Sequence, residues 1–353
     1  MNQCPKKKRS KRQHIISRLY LKNFSVDEKV WVIDFHSDRE PYITNVTNVL
    51  CVSDFFTVRT KENPKDDIFE KNFSRIETEV KPILDNLLEK MVIPEGKDKE
   101  KLAGYLACLF LMGPRTRQVQ LELYESAANW FSKFYLSKED NFDKLYKEHK
   151  AKHPESKITE ELARKITNSM YVEVNIPREE YIKNFFAALA IIEPLFNKMV
   201  LKILWADPLL RQRFVTGDFP FVIYDKSNNQ YGMPKNWGLF NKNVEIFIPI
   251  SPLVCFLLEF EGESMIDAIR SRDFIPLINS QLACAVSRYI ISSSKEIFWF
   301  KKGKIYSSVD KLHKEFYHRK LKEPMGRISP SQTIVARRNW NKLKGDKPTE
   351  AKR

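Results

Sequence analysis

Apolar positions recur at two different periods along this chain, and the switches between them divide it. Near the start, Val30-Trp-Val-Ile-Asp34 alternates and is rich in β-branched and aromatic residues, which predicts a strand. Residues 42–46 and 49–52 extend it into a small antiparallel meander. After Pro64 the spacing becomes three and four. Ile68, Phe69, Phe73, Ile76, Val80, Ile83, Leu84, Leu87 and Leu88 form one helical stripe, which Pro82 should kink or split. Residues 99–113 predict a strongly apolar helix, Pro114 a break, and residues 116–136 another helix. Residues 138–165 are polar and charged, as expected of an exposed insertion. Residues 177–205 read as one helix with Pro177 in its first turn and Phe185, Phe186, Leu189, Ile192, Phe196 and Val200 on its buried face.

The period then returns to two. Residues 213–216 and 221–224 predict short strands around the turn Gly217-Asp-Phe-Pro220, and residues 244–249 and 253–260 predict two more. A last core helix spans 276–292, and Ile297-Phe-Trp-Phe300 is a strand or a helix end. No internal repeat is visible. Strands, many helices, strands and a helix make an α+β fold, with a mainly helical core and a small, mostly antiparallel sheet.

Charge refines this plan. The 353 residues carry a formal net charge of +15. The first twelve residues hold six bases and no acid, and residues 301–353 hold sixteen Lys or Arg against five acids. The stretch between them is close to neutral. The expected organisation is a disordered basic arm at 1–12, an α+β core at 13–300, and a basic, partly helical extension at 301–353. Lys6, Lys7, Lys8, Arg9, Lys11 and Arg12 would neutralise phosphates, as would Lys301, Lys302, Lys304, Arg337 and Arg338. Tyr306, Phe316, Tyr317 and Trp340 lie among the latter and could stack on bases, so DNA or RNA is the partner class these basic tails suit. The plainer alternative is a solvated tail plus one docking helix at 309–321 that uses its aromatics for packing.

The best apolar stretch, 102–112, is too short to span a bilayer, which speaks against a membrane. The basic start lacks the apolar segment of a secretory signal, which predicts a cytoplasmic protein. Cys4, Cys51, Cys108, Cys255 and Cys284 are odd in number and form no CxxC pair, which suits buried free thiols rather than a disulfide framework.

Several landmarks together carry a resemblance. They begin with His14-Ile-Ile-Ser-Arg-Leu-Tyr-Leu-Lys-Asn-Phe24 and the Trp31-Val-Ile-Asp34 strand, followed by Asp54-Phe-Phe56 and Ile76-Glu77. Arg115 or Arg117 then ends a long apolar helix, and Thr216-Gly-Asp-Phe-Pro220, Pro249-Ile-Ser-Pro252 and Asn279 complete the series. In order and spacing this resembles the bacterial family called domain of unknown function 4238, over roughly residues 13–300. The chain departs from that pattern at Gly217, where Ser is usual, at Ile250, where Leu is usual, and by lacking an initial Pro. The resemblance implies a shared fold and points to a shared site, but it supplies no activity.

Among candidate chemical groups Asp218 stands first. A carboxylate just past a strand, in a glycine-containing turn, is where α+β proteins present catalytic groups, although Asp in such a turn equally stabilises its own backbone. His14, Arg115, Arg117, Ser251 and Asn279 would join it if the fold brings the motifs together. They would supply an acid or base, cationic clamps and an orienting amide. Walker, GxGxxG, GxSxG and HExxH patterns are absent, and the sequence names no cofactor. His149 and His153 stand at helical spacing but without a third ligand. Asp218, Glu245 and Glu259 match no metal-nuclease spacing. Two readings stay open. One is an enzyme or effector directed at nucleic acid or nucleotide and anchored by its tails. The other is a non-catalytic binding or regulatory protein whose motif residues hold the fold.

Overall fold

A computed structural model describes residues 12–53, 55, 68–231, 238–320 and 335–337. The first elements are β1 (Arg12–His14), α1 (Arg18–Lys22), β2 (Lys29–Asp34), β3 (Tyr42–Asn45) and β4 (Cys51–Ser53). Six helices and a strand follow: α2 (Ile68–Lys90), α3 (Gly96–Met112), α4 (Pro114–Leu136), α5 (Glu139–Lys152), α6 (Glu160–Ser169), β5 (Tyr171–Glu173) and α7 (Arg178–Lys198). The chain then turns to β6 (Val200–Ala206), β7 (Thr216–Gly217), β8 (Val222–Asp225), β9 (Gln230–Tyr231), β10 (Val244–Pro249), β11 (Val254–Glu259) and β12 (Met265–Ile269). It closes with α8 (Phe274–Ala285), β13 (Tyr289–Ser292), β14 (Trp299–Lys301), β15 (Lys304–Tyr306), α9 (Val309–Lys320) and β16 (Val335–Arg337). This is an α+β protein with several mostly antiparallel sheets.

Two units divide the described residues, the first formed by 12–117 with 179–320. Its largest sheet has the order β12-β6-β11-β10-β8-β9, antiparallel except where β12 runs parallel to β6. A four-stranded antiparallel sheet has the order β3-β2-β13-β7. β1 pairs with β4, and β14 with β15. Every residue of β11 is buried, as expected of a strand covered on both faces. α3 is buried at nearly every position from Leu102 to Met112, so it is a core helix with no solvent stripe. α8 and α9 close the core around Ile275, Leu282, Leu312 and Phe316. Residues 301–320 are therefore built into this unit: Val309, Leu312 and Phe316 pack in the core, and Lys301 Nζ pairs with the Glu315 carboxylate.

The second unit comprises α4 from Gln118 onward, α5, α6 and β5, with β16 paired antiparallel to β5. Phe142 and Val172 are its buried apolar residues among those described. Asn129 joins α4 to β5 by imitating a strand. Its Oδ1 accepts from the Val172 N–H at 2.7 Å, and its Nδ2 donates to the Val172 carbonyl at 2.9 Å. The expected insertion at 138–165 is largely exposed and forms α5 and α6 with their connection.

Three expectations need correction. Pro82 does not split its helix. α2 is continuous over 23 residues because Pro82 lies on the exposed face, while Val80, Ile83, Leu84 and Leu87 anchor the buried one. The helix expected at 177–205 ends at Lys198, and residues 200–206 form β6, held between β11 and β12. The helix expected at 276–292 ends at Ala285, and residues 289–292 form β13, the link between β2 and β7. In both cases a β-branched or aliphatic run satisfies either period, and ladder partners distant in sequence decide between them. Cys108 and Cys255 are buried free thiols, but Cys284 is exposed. Among the described residues no helix is long and apolar enough to cross a membrane.

Candidate functional site

The first motif folds into the interior. Tyr20, Leu21 and Phe24 are fully buried, set by the short helix α1, whose N-cap Ser17 accepts from the Tyr20 N–H at 3.3 Å. The Tyr20 hydroxyl donates to the Pro249 carbonyl, which can only accept. Thr216 Oγ1, 2.6 Å away, must then be the donor to the Tyr20 oxygen. One phenol thus fastens the opening motif to both late motifs, which lie 196 and 229 residues further along. Burial drives its ionisation far above the ordinary tyrosine range, so it serves as a neutral anchor.

A second chain of hydrogen bonds leads outward from the same motif. The Tyr105 hydroxyl donates to Ser17 Oγ at 3.0 Å, and Ser17 donates in turn to the Glu77 carboxylate. Ser17 is buried, and its oxygen accepts twice and donates once. It therefore positions Glu77 and has no lone pair directed at a substrate. Glu77 opens onto a cleft of about 90 Å³ lined by Gln13, His14, Arg18, Glu70 and Phe73, among others. Burial raises the Glu77 carboxyl above its ordinary value, an effect partly offset by the Ser17 hydroxyl and the Leu19 backbone N–H. Gln13 donates to Glu70 Oε2 at 2.9 Å, and His14 Nε2 lies 3.4 Å from the Val46 carbonyl. A half-exposed arginine, Arg18, and two carboxylates one helical stripe apart complete the lip.

Of the residues expected from the sequence to form the site, His14 lines this cleft. Asp218 is buried at the end of β7, where its carboxylate accepts the backbone N–H groups of Ser287 and Arg288, each at 2.7 Å, and of Tyr289 at 3.0 Å. It fastens the turn between α8 and β13. Gly217 is needed beside it, since a Cβ there would lie 2.3 Å from the Tyr289 carbonyl oxygen. Asn279 is likewise saturated: it donates to the carbonyls of Arg213 and Phe298, each at 2.9 Å, and accepts from Val215 N–H at 3.0 Å. Ser251 accepts the N–H groups of Leu253 and Val254, closing the β10–β11 hairpin.

The Arg117 guanidinium is buried between the Phe55 and Tyr181 rings, 3.6 Å from each centroid, and Arg115 is half-buried in the first turn of α4. Glu245 and Glu259 belong to a separate ion cluster on the large sheet, with Lys226 and Lys202. His149 Nε2 lies 3.0 Å from Ser156 Oγ. No group of three metal-ligating side chains occurs among the described residues. Lys302 and Lys304 lie at the β14–β15 turn and in β15. The backbones of Arg12 and Arg337 are placed in strands. Lys6, Lys7, Lys8, Arg9, Lys11 and Arg338 lie outside the described residues, as do Cys4, Asp54, Phe56 and Trp340.

Glu77, which lines the cleft and accepts from Ser17, was a landmark of the resemblance but not among the expected site residues. Its signal was an acid set into the apolar stripe of α2, between Phe73 and Val80.

These motifs and their joining through Tyr20 define a recognisable domain. The family model for the protein of unknown function DUF4238 matches residues 12–296, and the chain belongs to that family. Neither a curated protein nor a solved structure matches it.

Proposed function

We propose that this DUF4238 protein is an acid–base catalyst acting on a nucleotide or nucleic acid, with Glu77 as the proton carrier. The observation that carries this reading is the carboxyl of Glu77, held protonatable by burial in a cleft of mixed polar and apolar lining and oriented by a saturated serine. The cleft volume of about 90 Å³ is well below the ~300 Å³ at which pockets begin to enclose whole drug-sized ligands. It suits a phosphoryl or similar head group, with the rest of the substrate lying outside. Arg18 on the lip supplies a cation for such a group, and His14 a second proton-transferring side chain.

Charge placement supports a polyanionic substrate. The basic run of residues 6–12 leads directly into β1, the strand that brings Gln13 and His14 to the cleft. Chain length alone keeps its positive charge within about 25 Å of Gln13. A specific observation favours a second reading: Asp218, Asn279 and Ser251 all bond to backbone groups, which suits a binding or regulatory protein whose motifs hold the fold.

The test uses the full chain with nucleoside triphosphates and with single- and double-stranded DNA and RNA across a salt series. The proposal expects binding that weakens steeply with salt, turnover of one of these substrates, and loss of turnover with retained binding in Glu77→Gln. Absence of binding to every one of them at moderate salt would overturn it.

A further inference from the structure

Among its described residues the second unit buries few apolar side chains, and α4 carries much exposed aromatic surface. Leu123, Trp130 and Phe134 form one row along this helix, and Tyr124, Phe131 and Tyr135 the adjacent row. Leu123, Trp130 and Phe131 are 68%, 67% and 61% exposed. The rings are ordered into slabs: Trp130 stacks on Phe134 at 5.4 Å and 5°, and Phe131 on Tyr135 at 6.3 Å and 20°. The third face of α4 is already used, where Asn129 joins β5.

We propose that α4 is a self-association surface and that a second copy of this chain covers it, helix against helix and antiparallel. Two features of α4 support this occupant. The first is shape. Ser126, Ala127 and Ala128 lie at the middle of the rows, with the bulky rings to their C-terminal side. A two-fold axis near Ala128 sets each Trp130 over the small residues of the opposite helix, and Phe134 beside Leu123. The second is area. Six side chains that are each about half exposed offer roughly 600 Å², close to the ~800 Å² per partner of a stable complex. A nucleic acid is a poorer fit to this face, because residues 118–136 carry two acids, Glu122 and Glu125, against one base, Lys133.

The test is the mass of the full chain in solution, by light scattering or sedimentation, across the micromolar range. The expected species is a dimer of the 41.7 kDa chain. Trp130→Ala should weaken it by at least about a hundredfold, as loss of a central aromatic anchor does at interfaces. Ala127→Glu, which sets an unpaired charge under the partner's Trp130, should weaken it at least about tenfold. Ala127 is exposed, so this variant keeps the proposal testable even if Trp130→Ala misfolds. A monomer throughout the range overturns it, and so does a dimer indifferent to these changes. A monomer that binds single-stranded nucleic acid through Trp130 also overturns it.

Discussion

Replacing Asp218 by Asn asks whether the most prominent acid of the late motif supports chemistry or architecture. The carboxylate receives three backbone N–H groups within 3.0 Å, from Ser287, Arg288 and Tyr289, and it is buried. An amide keeps one accepting oxygen and turns an NH₂ towards donors that cannot accept. At least one backbone N–H then loses its partner. A hydrogen bond to a charged group contributes about 1.5–3 kcal/mol, and an orphaned buried donor costs about 1–3 kcal/mol. These terms overlap, so the expected loss is about 3 kcal/mol for Asn and somewhat more for Ala. At about 2–4 °C per kcal/mol for a large domain, Asp218→Asn should melt roughly 6–12 °C lower. The assay is thermal unfolding followed by circular dichroism, with any substrate turnover measured well below the transition. In that regime activity should follow the folded fraction. A melting shift under about 2 °C together with abolished turnover would refute the structural account and return Asp218 to the chemistry.

Glu77→Gln should change the pH dependence of stability as well as turnover. The Glu77 carboxyl is raised above 4.5 chiefly by burial, so its folded-state value exceeds its unfolded one. Its favourable contribution is complete below the unfolded value and is lost as pH rises through the folded one. Wild type should therefore lose stability relative to Glu77→Gln as pH rises above the ordinary carboxylate range, and parallel melting curves through that rise would contradict the burial argument. Lys202→Met keeps the aliphatic stem but removes the cation paired with Glu259, whose side chain is 7% exposed. Because Lys226 remains 3.7 Å from that carboxylate, the expected cost in a denaturant titration is about 2–4 kcal/mol, somewhat below that of a fully orphaned buried charge.

Much of the layout was legible because its signals are local. The apolar stripe of α2, the all-apolar α3 and Pro114 at the start of α4 are written in neighbouring residues, and their boundaries follow closely. β6 and β13 were not legible. Val200-Leu-Lys-Ile-Leu-Trp-Ala206 and Tyr289-Ile-Ile-Ser292 continue apolar helices in pattern, and only partners distant in sequence make them strands. The site divides in the same way. The motifs do meet, but through the buried hydroxyl of Tyr20, a residue that reads as plain core. Asp218 and Asn279 looked chemical because polar residues in turns often are, yet the structure directs them at backbone. Glu77 was the reverse: the resemblance named it in the Ile76-Glu77 landmark, but an acid within an apolar stripe reads as one imperfect position and was given no role in the site.

The pairing of β2 with β13 has a consequence for biosynthesis. Arg288 forms a two-pronged bond to Asp34, 254 positions earlier, and His313 Nε2 donates to the carbonyls of Asp34 and Ser37 from further still. On a ribosome adding about 5–20 residues per second, β2 waits roughly 13–50 s for these partners. Through that interval Val30, Val32 and Ile33, all buried in the finished protein, have only β3 beside them. A nascent chain of this protein should be a client of holding chaperones for most of its synthesis. Slower translation before α8 would lengthen that exposure rather than help the early elements fold.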